Sequence, residues 1–228
     1  MFRNEVSEFI YKRTYARWLE DEKRREEWPE TVARFISFLK LEREELIPEK
    51  TYRKIEKYLL DFAVMPSMRF LWSAGEPASR DNTVIYNCSF AKMNSIEAFA
   101  ECLHILMCGT GFGFSVEEEE VKKLPDIPEI KSGRDRPLKV IEDSREGWAD
   151  SVKVLMASLY DGQNLYFDYS QLRPEGARLV TMGGRSSGPQ PLIKLHDFIR
   201  ETMHNAQGRK LSTLEVHDIT NQIAEIVV

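Results

Sequence analysis

Three features are scarce in this chain. Cysteine is the first: only Cys88, Cys102 and Cys108 occur, odd in number and without a CxxC pair. That excludes a secreted disulfide framework, gives zinc no paired thiolates, and leads us to expect a reducing, cytoplasmic setting. Long apolar runs are also missing, and nothing approaches the roughly 20 residues a membrane-spanning helix needs. The opening Met1-Phe2-Arg3-Asn4-Glu5 is charged at once and does not read as a secretory signal. Basic charge is not in excess. Lys plus Arg number 32 against 37 Asp plus Glu, a net charge of −5, so direct nucleic-acid binding is not expected, although local donors suffice for a nucleotide phosphate. His104, His196, His204 and His217 lack ligand spacing, no Ser/His/Asp arrangement stands out, and we expect no metal site.

What is present reads as globular. The 228 residues, 42% apolar and 11% aromatic, suffice for one large or two modest domains with a real core, and 30% charged residues suit helix surfaces with paired charges. In the first third, Val6, Ile10, Tyr11, Tyr15 and Trp18 recur at helical spacing. Pro29 suits the first turn of a second helix carrying Val32, Phe35, Ile36 and Leu39, and Pro48 opens a third through Tyr52, Ile55, Leu59 and Leu60. The charge run Glu20 to Glu27 reads as a solvated face. At Met65-Pro66-Ser67 the texture changes to short apolar runs broken by Gly, Pro and Asn. We therefore expect a helical N-terminal domain over 1–64 and an α/β region over 65–228.

The α/β region opens with a strand expected over Val84 to Phe90, which carries Cys88. Asn94 with Glu97 reads as a helix cap, Ile96, Phe99, Ala100, Leu103 and Met107 form one apolar stripe, and Gly109 ends the helix. Phe112, Phe114 and Val116 then alternate as in a strand. Strand, helix, strand in that order favours a parallel βαβ unit. Glycine at 109, 111 and 113 exceeds what a helix stop requires and lets a ligand approach backbone. A buried Cys88 beside such a segment points to thiol chemistry on a bound small molecule. Cys102 and Cys108 read as structural. The loop is not GxGxxG and follows a helix instead of opening one, so a dinucleotide fold is a weak reading.

Residues 117–139 read as a surface connection. A helix with Val152, Leu155, Met156, Leu159 and Tyr160 follows, then a short strand over Tyr166 to Tyr169. Arg173 to Pro191 is a long Gly/Pro/Ser loop in which Arg173, Arg178 and Arg185, with free backbone amides, make a phosphate cradle. Ser212-Thr213-Leu214-Glu215 is a capping box for a last helix whose stripe is Val216, Ile219, Ile223, Ile226 and Val227. That stripe reaches the end of the sequence, from which we expect the fold to continue on another polypeptide.

Several segments, taken in order, resemble the N-terminal part of class II, adenosylcobalamin-dependent ribonucleotide reductases, with greater similarity to the monomeric branch. They are Arg13-Thr14-Tyr15-Ala16-Arg17-Trp18, Met65-Pro66-Ser67, Asn87-Cys88, Gly109 to Ser115, Glu142 to Trp148 and Gly183 to Pro189. The resemblance implies a helical region leading into the first part of a ten-stranded α/β barrel, incomplete in this chain. It implies that Cys88 is the first redox cysteine, that Ser67, Asn87, Gly111 and Gly113 lie near substrate, and that Arg178, Gly183, Gly184 and Arg185 lie near the allosteric effector. The family's radical-bearing cysteine, second redox cysteine, C-terminal cysteine pair and most of its adenosylcobalamin site have no counterpart in this sequence.

The implied function is thus a split or truncated ribonucleotide reductase, inactive alone. Its implied partners are a second polypeptide bearing the radical cysteine, a ribonucleotide substrate, a deoxynucleotide effector and a thioredoxin-like reductant. The competing reading is a non-catalytic nucleotide-binding or regulatory module built on the loop around Arg178 and Arg185.

Overall fold

The structure is a computed structural model that describes residues 2–43, 46–131, 138–179 and 184–227. The chain forms two compact units, Met1–Asn87 and Cys88–Val228.

The first unit is helical. Helix α1 (Glu5–Thr14) starts at Asn4, whose side chain accepts from the Ser7 amide at 2.8 Å. A two-stranded antiparallel hairpin follows, β1 (Trp18–Leu19) with β2 (Arg24–Arg25), then α2 (Trp28–Arg43), α3 (Glu49–Leu60), α4 (Met68–Ser73), α5 (Glu76–Arg80) and a 3-10 turn over Asn82–Ile85. The apolar spacing at the N-terminus gives the helix but misplaces its buried side. α1 buries Tyr11, while Val6 and Ile10 stay exposed and Trp18 lies beyond the helix, exposed in the hairpin. The Tyr11 ring stacks on Phe2 and meets Trp28 edge-on, and its hydroxyl pairs with Thr31 at 2.6 Å.

The charge run also departs from expectation at one position. Glu26 is buried, bonded by Arg34 at 2.7 Å, by the Thr31 hydroxyl at 2.7 Å and by the Arg17 amide at 3.2 Å. Burial acts to raise its carboxyl, but these donors outweigh burial and hold it below the usual carboxylate range. Arg34 also reaches the carbonyls of Leu71 and Ala74, and Arg17 that of Trp72, so two guanidiniums satisfy the end of α4. Residues 65–87 therefore pack on the helices before them, and the change in texture at residue 65 is not where the packed units divide.

The second unit places β3 (Cys88–Lys92) parallel to β4 (Gly111–Ser115), with α6 (Ile96–Met107) as the crossover. The strand begins four residues later than the sequence suggests, because Asn82–Ile85 forms the 3-10 turn. Ser95, not Asn94, caps α6, accepting from the Ala98 amide, while the Asn94 side chain donates to Glu120 at 2.8 Å. Gly109 ends the helix with φ of 75°.

A second parallel pair, β5 (Leu138–Val140) with β6 (Tyr166–Asp168), is connected through α8 (Arg145–Tyr160). Helices α9 (Gln190–Asn205) and α10 (Thr213–Glu225) complete the unit, with a four-residue α7 (Glu118–Val121) before the second pair. α6 packs on α8 and α10, and the core gathers Phe99, Leu103, Leu155, Leu159, Leu195, Ile199 and Ile219.

Two expectations are corrected here. Residues 117–131 are not merely a surface connection, since Val121, Leu124, Ile127 and Ile130 are buried and the Ile127 amide donates to the Arg209 carbonyl at 3.0 Å. The stripe of α10 is covered by its own unit: Val216, Ile219 and Ile223 pack against α6 and α9 and join the same core. The capping box is as read, with Ser212 and Glu215 bonded reciprocally. Among the described residues the sheets are three two-stranded pairs, and no helix is long and apolar enough to cross a membrane.

Gly147 shows how tightly α8 is seated. A Cβ there would fall on the Glu142 carbonyl oxygen and lie 2.9 Å from the Glu142 Cβ. Alanine is the better helix former by about 1 kcal/mol. We nevertheless expect Gly147→Ala to destabilise by roughly 1–3 kcal/mol, the usual cost of overpacking. Thermal unfolding reads this out, and an unchanged or raised Tm would show that the Glu142 backbone yields freely.

Candidate functional site

Parallel register fixes which groups meet on β3 and β4. Cys88 is paired with Gly111, and Phe90 with Gly113. Side chains alternate, so Cys88, Phe90 and Lys92 share one face and Ser89 and Ala91 the other. Opposite Cys88 and Phe90 the neighbouring strand carries no side chain, and the thiol and the Phe90 ring stand beside bare backbone. The Ser89 hydroxyl donates to the Gly111 carbonyl at 2.9 Å and secures the pair from the other side.

Cys88 is exposed, which corrects the expectation of a buried thiol. Phe90 beside it is 66% exposed. A parallel pair is ordinarily covered on both faces, so this is an open apolar strand face with a thiol at its start. Gly111, Gly113 and Asn87, which precedes the strand, are also exposed. Ser67 lies in the first unit, where its hydroxyl caps α4 by accepting from the Phe70 amide at 3.5 Å.

The other two thiols differ from Cys88. Cys102 is buried in α6, and burial pushes its thiol up to about 12. Cys108 is buried at the helix end, where Arg145 donates to its sulfur at 2.9 Å and His104 Nε2 lies 3.7 Å away. That contact ties the first turn of α8 to the start of the glycine segment.

At the C-terminal end of the strands a cleft of about 720 Å³ opens between Phe90, Lys92, Phe114, Val116, Glu117 to Glu120 and Thr213. Glu120 is buried and bonded by Lys123 at 2.5 Å, Lys92 at 2.6 Å and Asn94, and these donors bring its carboxyl down to about 2. Glu117, Glu118 and Glu119 are exposed, so the cleft is acidic and suits a phosphate poorly.

The loop after Arg173 forms a small hairpin. Arg178 and Arg185 are cross-strand partners, and Arg185 donates to the Gly176 carbonyl at 2.9 Å. The amides of Gly176, Leu179, Ser186 and Gly188 are bonded within the loop, so they are not the free donors the sequence suggested. Gly184 is exposed, and Gly183 lies outside the described residues.

Sequence reasoning passed over one polar cluster. His196 is fully buried between Tyr169, whose hydroxyl lies 2.7 Å from Nδ1, and Ser151, whose oxygen lies 3.0 Å from Nε2. Ser151 donates to the Trp148 carbonyl, so Nε2 donates to Ser151 and Nδ1 accepts from Tyr169. The ring is satisfied as neutral imidazole. The only hint in the sequence was a histidine on the apolar side of α9.

Several known proteins are similar to this chain. A family model for the ribonucleotide reductase alpha domain matches residues 1–76, and one for the B12-dependent ribonucleotide reductase insertion domain matches residues 119–203. A crystal structure of a B12-dependent (class II) ribonucleotide reductase superimposes with a TM-score of 0.83 at 25% identity, over 96% of this chain and 40% of that one. Over nearly its whole length this chain is similar to a class II ribonucleotide reductase. Among curated proteins, the adenosylcobalamin-dependent ribonucleoside-triphosphate reductase of Euglena gracilis is 30% identical over 99% of this chain and 33% of its own length. The enzyme of the same name from Levilactobacillus brevis is 27% identical over 98% of this chain and 39% of its own length. The chain thus spans about a third to two fifths of the reductases it matches. Cys88 and the glycine strand fall between the two matched domains.

Two measurements check the site. A thiol reagent added to the native chain should consume one equivalent rapidly, at Cys88, and Cys102 and Cys108 should react only on unfolding. Fast loss of two or three equivalents would contradict the buried placements. Burial, and secondarily Arg200, pushes His196 down to about 3, against an ordinary value near 6.5. Below about pH 6.5 the unfolded chain binds a proton that the folded one refuses, so stability should fall with pH by about 1.4 kcal/mol per unit toward pH 3. Denaturant titrations of the chain and of His196→Gln at pH 7 and pH 5 isolate this term, and an identical pH slope in both would refute it.

Proposed function

We propose that this chain is the N-terminal part of a ribonucleotide reductase, converting ribonucleotides to 2′-deoxyribonucleotides, with Cys88 as one of its two redox thiols. The observation that carries the reading is the open strand face on which Cys88 stands opposite Gly111. A small ligand laid on that face meets a thiol on one strand and unobstructed backbone on the next. The net reaction is balanced by one thiol pair: ribonucleotide and dithiol give deoxyribonucleotide, disulfide and water. The 2′ carbon is reduced by two electrons and its hydroxyl leaves as water.

Cys88 needs a partner whose Cα lies within roughly 5.5–6 Å. Cys102 and Cys108 are buried in and after α6 and do not serve. The partner thiol and the radical cysteine are assigned to a second polypeptide, which also covers Phe90 and adds strands beside β3 and β4 to build the α/β barrel. The present chain is then inactive alone.

The relatives are named adenosylcobalamin-dependent, and in this proposal that cofactor serves the assembled enzyme as its radical source. Neither the large cleft nor His196 fits it. The large cleft is walled by acid, the wrong sign for the cofactor's phosphate-bearing tail, and both nitrogens of His196 are already bonded. A thioredoxin-like dithiol regenerates the Cys88 pair, and a deoxynucleotide effector binds near the Arg178–Arg185 hairpin. That hairpin closes on its own amides, which supports the reductase reading over a free-standing phosphate cradle.

Co-production with a polypeptide carrying the remaining barrel should yield ribonucleotide reduction driven by a dithiol protein. Cys88→Ser should lower that turnover by at least 10³-fold while leaving assembly intact, as expected for loss of a covalent participant. Turnover that persists in the variant with the same reductant would remove Cys88 from the mechanism.

A further inference from the structure

The sulfur of Cys108 takes no part in the chemistry proposed above, yet two polar groups close on it. Cys108 is fully buried at the C-terminal cap of α6. Arg145, the first residue of α8, donates from Nη1 to its Sγ at 2.9 Å, and His104 Nε2, one turn back in α6, lies 3.7 Å away. The Arg145 side chain is itself only 15% exposed. Sulfur is a weak acceptor, and the charge on a guanidinium is what makes such a bond firm.

The place of this bond in the chain gives it leverage. Only Gly109 and Thr110 separate Cys108 from Gly111, which pairs with Cys88. The turn between them is closed by backbone: the Gly109 amide donates to the Leu106 carbonyl at 2.7 Å and the Thr110 amide to that of Ile105 at 3.2 Å. Those bonds fix the turn relative to α6 alone. Arg145 ties the same turn to α8. The start of α8 is set independently, by the Ser144 cap on the Gly147 amide at 2.9 Å and by the Glu142 carbonyl packed where Gly147 has no Cβ. We infer that Arg145 is a positioning residue for Cys88. It holds the exit of α6 through Cys108 Sγ, and so holds β4 in the register that sets Gly111 beside the Cys88 thiol. The catalytic meaning of that register rests on the redox role proposed for Cys88; the placement of the strand does not.

Substitutions at the two ends of the bond separate its polarity from its packing. Arg145→Met keeps an unbranched side chain and loses every donor. Cys108→Val fills the sulfur's space and accepts no hydrogen bond. Cys108→Ser retains an acceptor at the same place, and Arg145→Lys retains a charged donor without the planar fork.

Native-state hydrogen exchange of the full chain tests this. In Arg145→Met and in Cys108→Val the amides of β3 and β4 should exchange at least about tenfold faster, while those buried in α9 keep their protection. Iodoacetamide should take Cys88 about threefold faster or more in the same two variants, because the glycine strand no longer stands fixed beside it. Cys108→Ser should match the parent in both measurements. Should Arg145→Met fail to fold, the pair Cys108→Ser and Cys108→Val carries the comparison, with Arg145→Lys as the milder change at the other end. Strand amides and Cys88 reactivity that do not move in folded variants would overturn the proposal. Equal acceleration throughout the second unit would do the same, since it marks the bond as general packing, and so would Cys108→Ser behaving like Cys108→Val. These measurements need neither a partner chain nor turnover, whereas the reductase reading fails on turnover that persists in Cys88→Ser, so the two failures are distinguishable.

Discussion

The packing of α6 is the constraint on which the second unit depends. Parallel strands cannot be joined by a tight turn, so β3 and β4 need a crossover, and α6 supplies it. Phe99, Cys102 and Leu103 bury one side of that helix against α8 and α10, which fixes its rotation and therefore where the chain emerges. Gly109, at positive φ, then turns the chain so that Gly111 arrives beside Cys88 and not one residue earlier or later. A slip of one position would put the Phe112 side chain opposite the thiol and turn Gly111 toward the core. The chemistry proposed for the open face rests on that single register.

The two units solve the problem of buried polar groups differently. In the first, Glu26 is buried and Arg34 and Arg17 surround it, with their remaining donors spent on the carbonyls that α4 leaves unsatisfied. Removing one partner would strand the others in a dry setting, which is costlier than never burying the set. In the second unit the buried polar cluster is neutral. His196 sits between Tyr169 and Ser151 as an uncharged ring, so the core around α8 and α9 needs no counter-charge.

The similarity to class II reductases extends over nearly the whole chain but over less than half of the proteins it matches. Two parallel pairs, β3 with β4 and β5 with β6, expose Phe90, Leu138, Val140 and Tyr166 on their surfaces. Such residues are usual on strands flanked by other strands and covered by helices. The helices, by contrast, are finished: the stripe of α10, which in the sequence looked as though it awaited a partner, is already covered by α6 and α9. What the unit leaves open is strand surface, and this is also where the candidate thiol lies.

Local chemistry in the sequence determined the βαβ order around Cys88, the stop at Gly109, the capping box at Ser212 and the longer helices α1, α2, α3, α6, α8 and α10, because each rests on interactions within a few residues, but not the short α4, α5 and α7. The reductase resemblance was legible in the ordered motifs for the same reason: glycine, cysteine and arginine at fixed spacing need no knowledge of the fold. Tertiary structure alone decided which side of each element is covered. It exposed Cys88, Val6 and Ile10, buried Glu26, Leu124 and Ile127, and closed the α10 stripe. Periodicity states that a helix has an apolar side. What that side meets depends on residues far away in the chain, and burial is a property of the pair and not of either partner.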